Sequence, residues 1–174
     1  MALVLIALVA PCLAQRHAEL APAEVDALRD SMMEPDTRLK LYVKFARARV
    51  DALEQVRSDP KIAAADRPGQ IHDKLQDFLD IYDELNDNID MYVDRKDDIR
   101  KPLKAVIEAD AEFQAKLKAF QEAMTSSKEN TKPFEFILSN TLDTINDSVD
   151  DHKKVMQEQE ELAKTRKKHK GEQN

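Results

Sequence analysis

Residues 71–92, IHDKLQDFLDIYDELNDNIDMY, decide the fold. The apolar side chains Ile71, Leu75, Phe78, Tyr82, Leu85, Ile89 and Tyr92 recur there in alternating steps of four and three. Such a repeat averages 3.5 residues, close to the turn of an α-helix, and keeps one stripe facing a partner helix. A half-buried strand would instead alternate apolar and polar at every second residue. No Gly or Pro interrupts the run.

The same spacing extends outward in both directions. Upstream, Leu39, Val43, Ala46, Val50 and Leu53 form a second stripe behind Asp36, a good helix N-cap, and ahead of Ser58. Between the two stripes, residues 59–69 hold Pro60, Pro68 and Gly69 and read as a connection. Further upstream, Val25, Leu28 and Met32 share a face that Pro35 ends, because proline lacks the amide and clashes with the preceding turn. Downstream run Ile99, Leu103, Val106, Phe113, Leu117, Phe120 and Met124, followed by a polar stretch at 125–132. A last helix is predicted from about Pro133, with Phe134, Leu138, Leu142, Ile145, Val149, His152 and Met156 on its seam. Tyr42, Phe45 and Phe136 lie just beside seam positions, placed either to widen the core or to face a partner.

These stripes predict an all-α fold, an antiparallel three- or four-helix bundle with coiled-coil-like heptad packing. Residues 95–102 leave two topologies. Six of the seven positions from 95 to 101 are charged and Pro102 follows, as in a turn between helices. Counting on from Tyr92, however, gives Lys96, Ile99, Leu103, Val106, Asp110 and Phe113 without loss of phase. There is also no glycine and no recognisable turn sequence. The reading therefore favours one long helix kinked at Pro102, about 80 Å from Gly69 to Met124 at 1.5 Å per residue. Lys96 and Asp110 would then sit in the seam, where they cost stability unless paired or exposed.

Composition agrees with long helices. Of 174 residues, 35% are charged, only two are Gly and none is Trp, the profile of helices with wet outer faces. A net charge of -7 argues against nucleic acid as a partner. The charge is unevenly placed: residues 71–98 carry ten acids against three bases, and residues 164–170 carry five bases and no acid.

Residues 2–13 are apolar throughout. About twelve residues is too short for a bilayer core, which needs roughly 20, but suits the apolar region of a signal peptide. Cys12 and Ala14 fit the small positions before a cut. The expected plan is a signal peptide at 1–14, a flexible N-terminus at 15–22, a helical bundle at 23–163 and a basic, disordered tail at 164–174. Cleavage near Ala14 makes the protein periplasmic or secreted and removes its one cysteine, and with it disulfide and thiol chemistry. No transmembrane span is predicted.

Candidate functional residues fall into three groups. Asp73, Asp77, Asp80, Glu84 and Asp87 form an acidic stripe at outer heptad positions, predicted to point away from partner helices. It suits a weakly bound cation or a cationic partner, or simply a solvated face. Lys164, Arg166, Lys167, Lys168 and Lys170 suit an anionic membrane surface or an acidic partner, or complement the negative end of the helix dipole. His152 occupies a seam position, where it could hold a metal, or a haem with Met91 opposite; bonding to a neighbouring acid is the simpler fate. No histidine has an acid three residues before it, so the Glu-x-x-His pattern of di-iron bundles is missing.

A Gly-x-Ser-x-Gly elbow and a phosphate-binding glycine loop are also missing. The sequence therefore predicts an exported, non-enzymatic interaction, scaffold or chaperone-like factor of the cell envelope. It would have no cofactor and an unidentified protein partner, and would form a homodimer if its long helix overhangs its neighbours. The alternative is a small metal- or haem-binding bundle centred on His152.

Overall fold

A computed structural model describes residues 20–127 and 130–171. The expected signal peptide with Cys12 and the cut near Ala14 lies outside the described residues, as do the side chains of Lys167 and Lys170. The chain forms five helices: α1 (Pro22–Asp30), α2 (Pro35–Ser58), α3 (Arg67–Asp94), α4 (Arg100–Ser126) and α5 (Lys132–Gly171). No strand occurs among the described residues.

Proline stands in the first turn of α1, α2 and α3, where its missing N–H costs nothing because that turn has no intrahelical partner. Asp36, expected to cap α2, lies one residue inside it and pairs with Lys40 at 2.9 Å and Lys101 at 3.2 Å. Glu34 takes the capping position instead. The 59–69 connection is shorter than expected, since α3 starts at Arg67 and takes in Gly69.

The continuous central helix is not what forms. α3 stops at Asp94 and α4 begins at Arg100, a hairpin with Pro102 in the first turn of α4. The stop is a Schellman motif: Asp97 N–H donates to the Tyr92 carbonyl at 3.0 Å, and Lys96 N–H donates to Val93 at 2.9 Å. This geometry needs a left-handed residue at Lys96, whose φ is 60°. Glycine is the usual occupant, so its absence hid the turn. The heptad phase carries on because Tyr92 and Ile99 both return to the core from opposite sides of the hairpin, each fully buried.

Residue pairings give the topology. Tyr82 bonds Asp110 and Phe78 meets Phe113, so α3 and α4 run antiparallel. Arg47 with Glu112, Asp51 with Lys116 and Asp36 with Lys101 keep one offset of 65 residues, so α2 and α4 run parallel. In cross-section α2 neighbours α3 and α4, and α5 neighbours α3 and α4. The hairpin partners α3 and α4 therefore sit on a diagonal.

The core is the predicted stripe: Ile71, Leu75, Phe78, Tyr82, Leu85, Ile89 and Tyr92 are buried, as are Leu103, Val106, Phe113, Leu117, Phe120 and Met124 of α4. At its centre Phe78 stacks on Tyr82 with centroids 5.4 Å apart, and Phe113 packs edge-on against Phe78, also at 5.4 Å. Such pairs add roughly 0.5–1.5 kcal/mol beyond the area they bury. Tyr42 and Phe45 widen the core, while Phe136 faces outward at 85% exposure.

Two elements depart from a compact square. At 40 residues α5 is far longer than α2 (24), α3 (28) or α4 (27). The basic stretch expected to be disordered is helical as far as Gly171. At the other extreme, α1 is nine residues long and buries one side chain, Leu28. Val25 and Met32, expected to share its core face, are mostly exposed.

Candidate functional site

Three helices deliver polar groups to the middle of the apolar core. Tyr82 and Asn86 stand one turn apart on α3, Ser148 and His152 one turn apart on α5, and Asp110 faces both from α4. Steps of four residues place each pair on a single helix face. Asp110 and His152 are 1% and 3% exposed.

The groups join in one hydrogen-bonded circuit that crosses three helices. The Tyr82 hydroxyl donates to Asp110 Oδ1 at 2.7 Å, and Asp110 Oδ2 lies 2.8 Å from His152 Nδ1. His152 Nε2 lies 3.1 Å from Asn86 Oδ1, and the Asn86 amide donates to Ser148 Oγ at 3.0 Å. Burial first, and the Asp110 carboxylate second, push the Tyr82 phenol far above its ordinary pKa, while Ser148 pulls the other way. Tyr82 is therefore a fixed donor to Asp110.

The circuit also sets the proton count. With the Asn86 carbonyl on Nε2 and the Asp110 carboxylate on Nδ1, both ring nitrogens must donate, which is the imidazolium form. Turning the Asn86 amide over lets it donate to Nε2 and accept from the Ser148 hydroxyl, and every bond then survives with a neutral ring. Ser148 permits both because a hydroxyl donates and accepts.

This arrangement leaves little chemistry for an outside molecule. Both carboxylate oxygens and both imidazole nitrogens are engaged, so a metal at His152 would have to displace Asn86 or Asp110. Met91, the haem partner considered from sequence, lies exposed on α3 while His152 is buried. Among the described residues no group of three or more His, Cys, Asp or Glu side chains could hold a metal ion. None of the described helices is long and apolar enough to cross a membrane.

The acidic stripe is not uniformly outward, contrary to expectation. Asp77 is buried and pairs with Lys74 at 2.8 Å. Asp80 accepts from Gln76 at 2.7 Å, and Glu84 accepts weakly from the Tyr42 hydroxyl at 3.4 Å. Asp73 lies beside His72 at 3.7 Å, and Asp87 is exposed. Their neighbour Asp83 is largely exposed, yet its carboxyl is held above the usual range, by partial desolvation and then by Asp80 and Asp87. In the basic stretch Lys164 pairs with Glu161 at 2.7 Å, and Arg166 lies in the field of Asp98.

A second polar cluster joins α1 to the bundle. Arg38 donates to Asn88 Oδ1 at 2.7 Å, to the Tyr42 oxygen at 3.2 Å and to the Leu28 carbonyl at 2.5 Å. Arg49 meets Glu24 at 2.5 Å, and that bond holds the Glu24 carboxyl below its ordinary pKa.

Asp110 and His152 were legible as polar occupants of apolar stripes. Asn86 and Ser148 carried no such signal, because each lies off the seam on a helix rich in polar residues. Fold and site together define a helical bundle with a self-satisfied polar centre. No protein-family model matches the chain, and comparison with curated proteins and with solved structures gives no match.

Proposed function

We propose that the protein is a non-enzymatic interaction or scaffold factor, exported to the cell envelope and acting through its helical surfaces. The observation that carries this reading is the buried Tyr82–Asp110–His152–Asn86–Ser148 circuit, whose carboxylate and imidazole are bonded on both sides. The polar groups of that circuit serve one another, and a catalyst needs an acid, base or nucleophile presented to a substrate. The unspent groups are on the outside: Met32, Met33, Phe136 and Leu162 are exposed. Scattered exposed apolar groups are ordinary, but four of this size on a small bundle favour contact with other proteins.

Expression with the full N-terminus, followed by fractionation and cross-linking in the envelope, tests the reading. Mature protein recovered there without visible absorption or stoichiometric metal, and cross-linked to a defined partner through α1 or α5, supports it. Stoichiometric haem or metal, or retention of an uncleaved chain in the cytoplasm, overturns it. Loss of stability in His152→Ala does not discriminate, because Asp110 alone makes that substitution costly.

A further inference from the structure

We infer that the α2–α3 face beneath α1 is a seat for an amphipathic partner helix, occupied in cis by α1. The seat is built by the bundle. Arg38 is held by Asn88 of α3 and Tyr42 of α2, and Arg49 lies in the field of Asp77 of α3. The Arg38 guanidinium is therefore positioned by groups other than α1, and Arg49 stands eleven residues further along α2. One receives the carbonyl of Leu28 near the end of α1, and the other receives the carboxylate of Glu24. Free carbonyls in the last turn are what any helix lying in this direction offers, and a carboxylate in its first turn is favoured by the helix dipole.

α1 fills the seat poorly. It packs against α2 alone, and a groove of about 300 Å³ remains beside it, lined by Leu20, Val25, Met32, Tyr42, Ile81 and Glu84. Tyr42 and Ile81, which line the groove, are buried while α1 is in place. Nine residues make a marginal helix in water, and one buried leucine is a small anchor, so α1 is the segment that opens at the least cost. The occupant that fits is a helix of about three turns. It carries an acid in its first turn for Arg49, bulky apolar side chains over Tyr42 and Ile81, and a base near its end for Asp80 and Glu84.

The inference rests on the interaction reading above, but its test needs no cellular partner. The probe is a fluorescent peptide of residues 20–34, titrated against the full chain and monitored by anisotropy. Leu28→Asp, which loosens α1 in cis, is expected to bind the peptide at least tenfold more tightly than the parent chain. Adding Arg49→Gln, or separately Arg38→Gln, is expected to remove that gain. Binding equal in parent and Leu28→Asp, absent from both, or indifferent to both arginines overturns the seat. So does collapse of the whole bundle in Leu28→Asp, since α1 would then be part of the core. Any of those failures leaves the interaction reading to its own test.

Discussion

His152 Nδ1 stands 2.8 Å from Asp110 Oδ2 in the centre of the bundle, the two lying forty-two positions apart in sequence. The pair is almost wholly shielded from water, and each member is held on its far side by another side chain, Tyr82 or Asn86. Burying charge is expensive unless it is paired and hydrogen-bonded. The circuit meets that requirement with side chains from three helices, and so links the relative register of α3, α4 and α5.

Breaking the circuit from one side should be worse than removing it. His152→Ala or Asp110→Ala is expected to cost about 3–5 kcal/mol, because it strands the remaining partner. The double substitution Asp110→Ala with His152→Ala should cost clearly less than the sum of the two. Urea unfolding of the four proteins as a double-mutant cycle measures this, and additive losses would show that the two groups do not act as a pair.

Lys96 holds a left-handed backbone that side chains disfavour by about 1–2 kcal/mol. Lys96→Gly should therefore raise stability by roughly 1 kcal/mol, and the β-branched Lys96→Val should lower it. Thermal unfolding decides the sign. A fall for glycine would mean that the hairpin draws on the lysine side chain.

Acid should release α1 before it unfolds the bundle. Arg49 depresses the Glu24 carboxyl below its ordinary value of 4.5. The pair's contribution is thus complete above that value and lost as pH falls through the depressed one. Hydrogen exchange across residues 22–30 should accelerate as pH drops through and below the ordinary carboxylate range, after correction for intrinsic rates. In Glu24→Gln it should be fast already at pH 7. Equal protection in the two proteins at neutral pH would argue that the ion pair holds nothing.

Two phenylalanines should differ sharply. Phe113→Ala leaves a hole against Phe78 and Tyr82 and is expected to cost about 3–5 kcal/mol. Phe136→Ser, at an exposed position, should stay within about 0.5 kcal/mol of the parent. Denaturant midpoints separate the two, and a large loss for Phe136→Ser would place that ring in a contact within or between chains.

The recurrence from Ile71 to Tyr92 determined, without any tertiary information, that α3 is a helix and which side it buries. A helix's buried face is a local matter of 3.6 residues per turn, so the same logic placed the stripes of α2, α4 and the first part of α5. It also marked Asp110 and His152 as polar groups needing partners. Tertiary structure alone decided who those partners are, since Asn86, Ser148 and Tyr82 meet them only where three helices converge. The same holds for the hairpin, where one lysine adopts a backbone conformation that composition does not announce. The fate of Phe136 was equally out of reach, because a position beside a stripe is buried or bare according to what packs over it.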